Sequence, residues 1–148
     1  MCATGEPPLE HAQVCLDWHD KRIGTRADDA ERYGVPLIIS EFGACLDGDA
    51  CVQEITAVGD TCDDYLAGWA YWELKTYADL TTSAGTGSEG VYNPDGALQT
   101  KKVKALARTY LTATQGVPLK MKFNTTTGIF NTVFTVNTDI EAPTVVYR

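Results

Sequence analysis

No apolar run in this 148-residue chain approaches the roughly 20 residues that a membrane-spanning helix needs, so a transmembrane segment is excluded. Basic residues are few and scattered. Twelve Lys+Arg stand against 20 Asp+Glu, giving a formal net charge of −8 and a pI near 4.6. No basic run exceeds a pair such as Lys101-Lys102, which excludes nucleic acid as a partner. The two histidines, His11 and His19, lie eight residues apart on one expected helix, about 12 Å at 1.5 Å per residue and too far for one metal ion. They read as surface or core residues. The five cysteines contain no Cys-x-x-Cys pair. No Ser-His-Asp array is present, and the glycine-rich stretch from Ala84 to Gly90 does not run from a strand into a helix, so no phosphate cradle is read. No metal or cofactor is expected. The opening residues Met1 to Pro8 lack a basic segment followed by an apolar one, and no signal peptide is read in them. The compartment is therefore left open. The acidic balance, the cysteines and the acceptor Asn124-Thr125-Thr126, a candidate glycosylation site, suit a secreted or vacuolar/lysosomal protein if a signal is supplied.

What remains is an ordinary globular composition, 44% hydrophobic and 22% charged. Pro7 to Tyr33 reads as helical, with Leu9, Ala12, Leu16 and Ile23 on one face, a break at Gly24-Thr25 and a stop at Gly34. Val35 to Gly43 is a short apolar run bounded by Pro and Gly, the pattern of a parallel strand buried on both faces. Val52, Ile55, Val58 and Cys62 recur at helical spacing, with Asp49 as cap. A second strand covers Ala67 to Trp72, followed by a loop from Thr81 to Gly90, a turn at Asn93-Pro94-Asp95-Gly96 and a helix from Gln99 to Thr112. This alternation is that of an α/β protein with parallel strands. Beyond Gly116 the pattern becomes β, with strands expected near 119–123, 129–136 and 144–147. Two units follow: residues 1–115, holding part of a parallel α/β sheet, and residues 116–148, holding the start of an antiparallel one.

Glu41 is the residue best placed for chemistry, a carboxylate at the C-terminal end of an otherwise apolar strand. Active sites of α/β barrels are built at that end. Trp69, Tyr71 and Trp72 on the neighbouring strand offer flat faces on which a sugar ring can stack, and at least one of the two tryptophans belongs to the core.

Ile39-Ser40-Glu41-Phe42-Gly43-Ala44 and Gly68-Trp69-Ala70-Tyr71-Trp72-Glu73-Leu74-Lys75 together resemble strands seven and eight of a glycoside hydrolase family 5 (β/α)8 barrel. Gly90 to Gly96, then Lys101 or Lys102, Arg108-Thr109-Tyr110 and Gln115-Gly116, narrow the resemblance to the endoglycoceramidase and glucosylceramidase branch. The resemblance implies a C-terminal fragment: the end of a TIM barrel followed by the start of a β-sandwich. It implies a retaining β-glycosidase acting on a lipid-linked β-glucoside, a glycosphingolipid or steryl glucoside, with Glu41 as nucleophile, Trp72 as the floor beneath the sugar and Lys75 against the substrate. It leaves peripheral contact with a membrane open. The family's acid/base lies in an Asn-Glu pair, and no Asn-Glu occurs in this chain. Glu73 shares its strand face with Trp69 and Tyr71 rather than Trp72, and Glu6 has no partner motif, so neither replaces it. The chain alone is expected to be inactive. The alternative is a non-catalytic remnant that binds a glycolipid or a partner chain.

Among the cysteines, Cys51 and Cys62 cannot pair on one helix, being about 16 Å apart. Cys45 with Cys51 is the preferred bridge, Cys2 with Cys15 is a second option, and Cys62 reads as a buried free thiol.

Overall fold

A computed structural model describes residues 8–46, 48–75 and 89–148. A short 3-10 turn, Leu9–His11, leads into α1 (Ala12–Tyr33), then β1 (Ile38–Gly43), α2 (Asp49–Asp64), β2 (Gly68–Trp72) and α3 (Thr100–Leu106). The strands β3 (Tyr110–Ala113), β4 (Gly116–Phe123), β5 (Phe130–Val136) and β6 (Val145–Tyr147) complete the order. β1 and β2 are parallel, whereas β3 pairs antiparallel with β6 and β4 with β5. The protein is thus mixed α/β, with the β-rich segment at its C-terminal end.

α1 is one continuous helix, not two. Gly24 lies inside it because Tyr65 packs against that point: a Cβ there would fall 2.5 Å from the phenol oxygen. Glycine here answers to close packing, not to a break. Gly34 ends the helix in the left-handed conformation (φ 66°), with its N–H returned to Ala30 and Glu31 carbonyls. Of the expected buried face of α1, Ile23 is buried as read, but the face runs on through Cys15 and His19 while Leu9 and Leu16 remain exposed. His19 explains the shift, since its Nε2 lies 2.5 Å from Glu54 Oε1 and ties α1 to α2. His11 lies at the start of the helix, 3.7 Å from Glu10.

α2 is the central packing element. Ile55, Val58 and Cys62 are buried along it, and each fully buried aliphatic side chain is worth about 1.5–3 kcal/mol. Its N-cap is Gly48, one residue before Asp49, whose carboxylate instead takes Lys101 Nζ at 2.7 Å. Ile23, Val58, Cys62 and Ala67 form one core with Leu37, Ile39, Phe42 and Trp69 packed against it. A second core joins Cys45, Cys51, Ile55 and Ala105 to Phe42, Tyr71 and Leu106.

The helix expected to Thr112 stops at Leu106, and residues 110–113 form β3 instead. Tyr110, Leu111 and Thr112 favour a strand once β6 is there to pair with, so tertiary contact overrides the helical spacing of Val103, Leu106, Ala107 and Tyr110. Arg108, between the two elements, is buried and donates through Nη2 to Asp60 (2.8 Å) and Asp63 (2.5 Å) at the end of α2. Asp63 Oδ2 also accepts the Phe123 N–H at 2.9 Å, and Lys122 reaches Asp64 at 2.7 Å. These contacts fasten β4 to α2. The Asn93–Gly96 turn forms as expected, closed by Gly96 N–H to the Asn93 carbonyl at 2.9 Å. The loop read from Thr81 to Gly90 lies outside the described residues except for Glu89 and Gly90.

Candidate active site

The register of β1 on β2 contains a bulge. Ile39 pairs with Trp69 and Phe42 with Tyr71, so Ser40 and Glu41 together stand opposite Ala70 alone. All four paired side chains belong to the cores beneath the sheet. Phe42 meets Trp69 and Tyr71 edge-on, at centroid distances of 5.7 and 5.6 Å. The extra residue lets Ile39 and Phe42 both face inward although three positions apart. Ser40, Glu41, Ala70 and Trp72 are left exposed on the opposite face. Burial of β1 on both faces is therefore not observed: among the described residues, helices cover one face and the other is open. Two strands bring too few neighbours to close the second side.

Glu41 and Trp72 thus share one face, Trp72 being 41% exposed, while Trp69 and Tyr71 belong to the packed side. Past Glu41 the chain turns sharply through two positive φ angles, 137° at Gly43 and 60° at Ala44. A Cβ at Gly43 would lie 2.4 Å from the Trp72 carbonyl oxygen, so only glycine allows the two strand ends to approach this closely. The Cys45–Cys51 disulfide (Cα–Cα 5.3 Å) then closes the loop after Glu41. Cys15 is also disulfide-bonded, and Cys2, offered above as an optional partner for it, lies outside the described residues. Cys62 is a buried free thiol. Burial, with the neighbouring Asp63 carboxylate, pushes it up to about 11.

Lys75 is exposed three residues past Trp72, and Glu73 is half-buried with one carboxylate oxygen enclosed. Glu6 lies outside the described residues. Asn124 is exposed at the β4–β5 turn, where its Oδ1 accepts the N–H groups of Thr126 (2.9 Å) and Thr127 (2.8 Å). Among the described residues, no group of His, Cys, Asp and Glu is placed to hold a metal, and no helix is long and apolar enough to cross a membrane.

Three features escaped the sequence reading. Lys102 is fully buried, its Nζ donating to the Cys45 carbonyl (2.7 Å) and the Gly90 carbonyl (2.9 Å). Its spacing with Ala105, on the buried side of α3, was an available signal. The Tyr71 hydroxyl is enclosed, and burial, with a contribution from the Glu89 carboxylate, raises it above the ordinary phenol range. Glu89 is buried beside a loop end, where no periodicity could reveal it.

The family model for the glycoside hydrolase family 5 C-terminal domain matches residues 108–148. This chain is endoglycoceramidase-like, and its C-terminal part resembles that of glycoside hydrolase family 5 enzymes. Endoglycoceramidase I of Rhodococcus hoagii is 33% identical over 122 residues, covering 82% of this chain and 21% of that protein. Endo-glycoceramidase II from Rhodococcus sp., solved as a ganglioside GM3 complex, matches with a TM-score of 0.66 and 26% identity, over 98% of this chain and 29% of that one. Sterylglucosidase 1 of Cryptococcus neoformans shares the fold, with a TM-score of 0.70 at 14% identity, over 89% of this chain and 25% of its own. The endoglycoceramidase-like chain therefore spans between a fifth and a third of the length of these relatives.

Proposed function

We propose that this chain supplies the nucleophile and the sugar platform of a retaining β-glycosidase that cleaves a lipid-linked β-glucoside. In this reading β1 and β2 are strands seven and eight of a (β/α)8 barrel within residues 1–115, and residues 116–148 begin a β-sandwich. The Glu41 carboxylate attacks the anomeric carbon and forms a glycosyl ester as the lipid alcohol departs, taking its proton from a second carboxyl. That group then draws a proton from water, which hydrolyses the ester and frees Glu41. Trp72 lies under the sugar ring and Lys75 contacts the substrate, whose lipid part brings the enzyme to a membrane surface. The observation that carries the reading is the placement of Glu41 and Trp72 on the same open face, while Ile39, Phe42, Trp69 and Tyr71 occupy the packed one.

A retaining site needs two carboxyls about 5–5.5 Å apart. With no Asn-Glu pair in the chain, the acid/base comes from outside it, and the chain alone hydrolyses an aryl β-glucoside only at background rate. The test uses the natural gene product that carries this chain, assayed on an aryl β-glucoside and on fluorescent glucosylceramide. Glu41→Gln should lower kcat at least about a thousandfold while leaving the thermal transition in place. A variant that retains activity within tenfold of the parent overturns the reading.

A further inference from the structure

We infer that Lys102 is a positioning residue for this site, an inference that rests on the reading of Glu41 and Trp72 given above. Lys102 closes a ring of contacts around the ends of the two strands that carry them. From Glu41 the chain runs through Gly43, where the β1 backbone passes too near the Trp72 carbonyl to leave room for a Cβ, and on to Cys45. From Trp72 it runs to Glu73 and Leu74. The Glu73 N–H donates to the Glu89 carbonyl at 3.0 Å, and the Val91 N–H donates to the Leu74 carbonyl at 3.1 Å. Gly90, held between those two bonds, and Cys45 are the residues whose carbonyls accept the Lys102 ammonium.

The ammonium therefore joins the loop that leaves the nucleophile strand to the segment that returns alongside the platform strand. A buried ammonium aimed at two backbone carbonyls is a costly way to fill space, because it must be desolvated. It is an effective way to fix a separation. Both carbonyls belong to irregular segments, and no strand pairing holds Cys45 and Gly90 together. The disulfide anchors Cys45 to α2, and Lys102 anchors the same residue to α3 and to Gly90. Lys101, next along the helix, has an exposed side chain that donates to Asp49 Oδ1 at 2.7 Å. Of the pair, Lys102 is the buried one.

In the natural gene product, Lys102→Met removes the charge and the hydrogen bonds to the Cys45 and Gly90 carbonyls at similar volume. Steady-state constants on an aryl β-glucoside, measured well below each variant's melting temperature, should show kcat reduced by about 10- to 100-fold, the cost of displacing a reacting group by roughly 1 Å. KM should stay within about threefold, and Lys101→Met should stay within about twofold of the parent in both constants. Lys102→Gln, which keeps a neutral donor, serves as the second variant and should fall between parent and Lys102→Met. A lowered melting temperature with kcat unchanged makes Lys102 purely structural and overturns the inference. Failure of both variants to fold does the same. An inactive parent, or an active Glu41→Gln, refutes the glycosidase reading itself. An active parent with a dead Glu41→Gln and a normal Lys102→Met refutes only the role of Lys102.

Discussion

The junction between α2 and β4 depends on one carboxylate. Asp63 Oδ2 accepts both Arg108 Nη2 at 2.5 Å and the Phe123 N–H at 2.9 Å, and the side chains of Asp63 and Arg108 are each only 3% exposed. Asp63→Leu breaks a buried ion pair, a loss of about 3–5 kcal/mol. It also strands a buried amide, at about 1–3 kcal/mol. The two losses share one oxygen and overlap, and Asp60, one-third exposed and 2.8 Å from Arg108, still compensates part of the charge. We expect a net destabilisation of about 4 kcal/mol. For an m-value of about 2 kcal/mol/M the urea midpoint then falls by about 2 M, read from tryptophan fluorescence. Asp64→Ala, which removes an exposed pair with Lys122, should cost no more than about 1 kcal/mol. The double variant Asp63→Leu/Arg108→Met should recover most of the loss, since the uncompensated charge leaves with the arginine. A loss below about 1 kcal/mol in Asp63→Leu, or no recovery in the double variant, refutes the reasoning.

The buried thiol gives a pH prediction. Folding raises Cys62 from 9.0 to about 11, so the folded state binds its proton more tightly than the unfolded state does. The resulting stability is complete below pH 9 and is lost as pH rises through 11; alkaline unfolding of Cys62→Ala should lack that part of the slope. At pH 8 the Cys62 peptide should escape iodoacetamide until denaturant is added, and rapid labelling of the native chain would contradict its burial. We also propose that Asn124, exposed in its turn, is a glycan acceptor: secreted from a eukaryotic cell, the chain should carry added mass that an amidase removes and that Asn124→Gln lacks. Secreted chain of unmodified mass refutes this.

Much of the fold was legible because punctuation and periodicity agreed. Gly34 stopped α1 where the pattern ended, and Ile55, Val58 and Cys62 marked the buried face of α2. Misreadings occurred where a distant residue decided the outcome. Gly24 reads as a break until Tyr65 is seen against it, Leu16 reads as core until His19 finds Glu54, and residues 110–113 read as helix until β6 pairs with them. In the candidate site, Glu41 could be named from the strand-end pattern, and the family resemblance singled out Trp72 from Trp69 and Tyr71. The bulge that turns Glu41 and Trp72 to one face could not be named, because register depends on two strands at once. Lys102 was noticed as half of a pair, and only packing separated it from Lys101.

The bulge in β1 also bears on how such a chain can change over generations. The core holds Ile39 and Phe42, whereas the two residues between them make no contribution to either apolar cluster. Selection for folding therefore acts on 39 and 42, and, under the role proposed above, selection for chemistry acts on 41. Substitutions at the exposed Ser40 or Glu41 should cost little stability, within about 0.5 kcal/mol, so on the proposed role catalysis can be lost without the protein being lost. A lineage relieved of its reaction could keep this strand and its packing while the carboxylate drifted. Preservation of Glu41 in a set of relatives would then measure selection for activity, separately from selection for the fold.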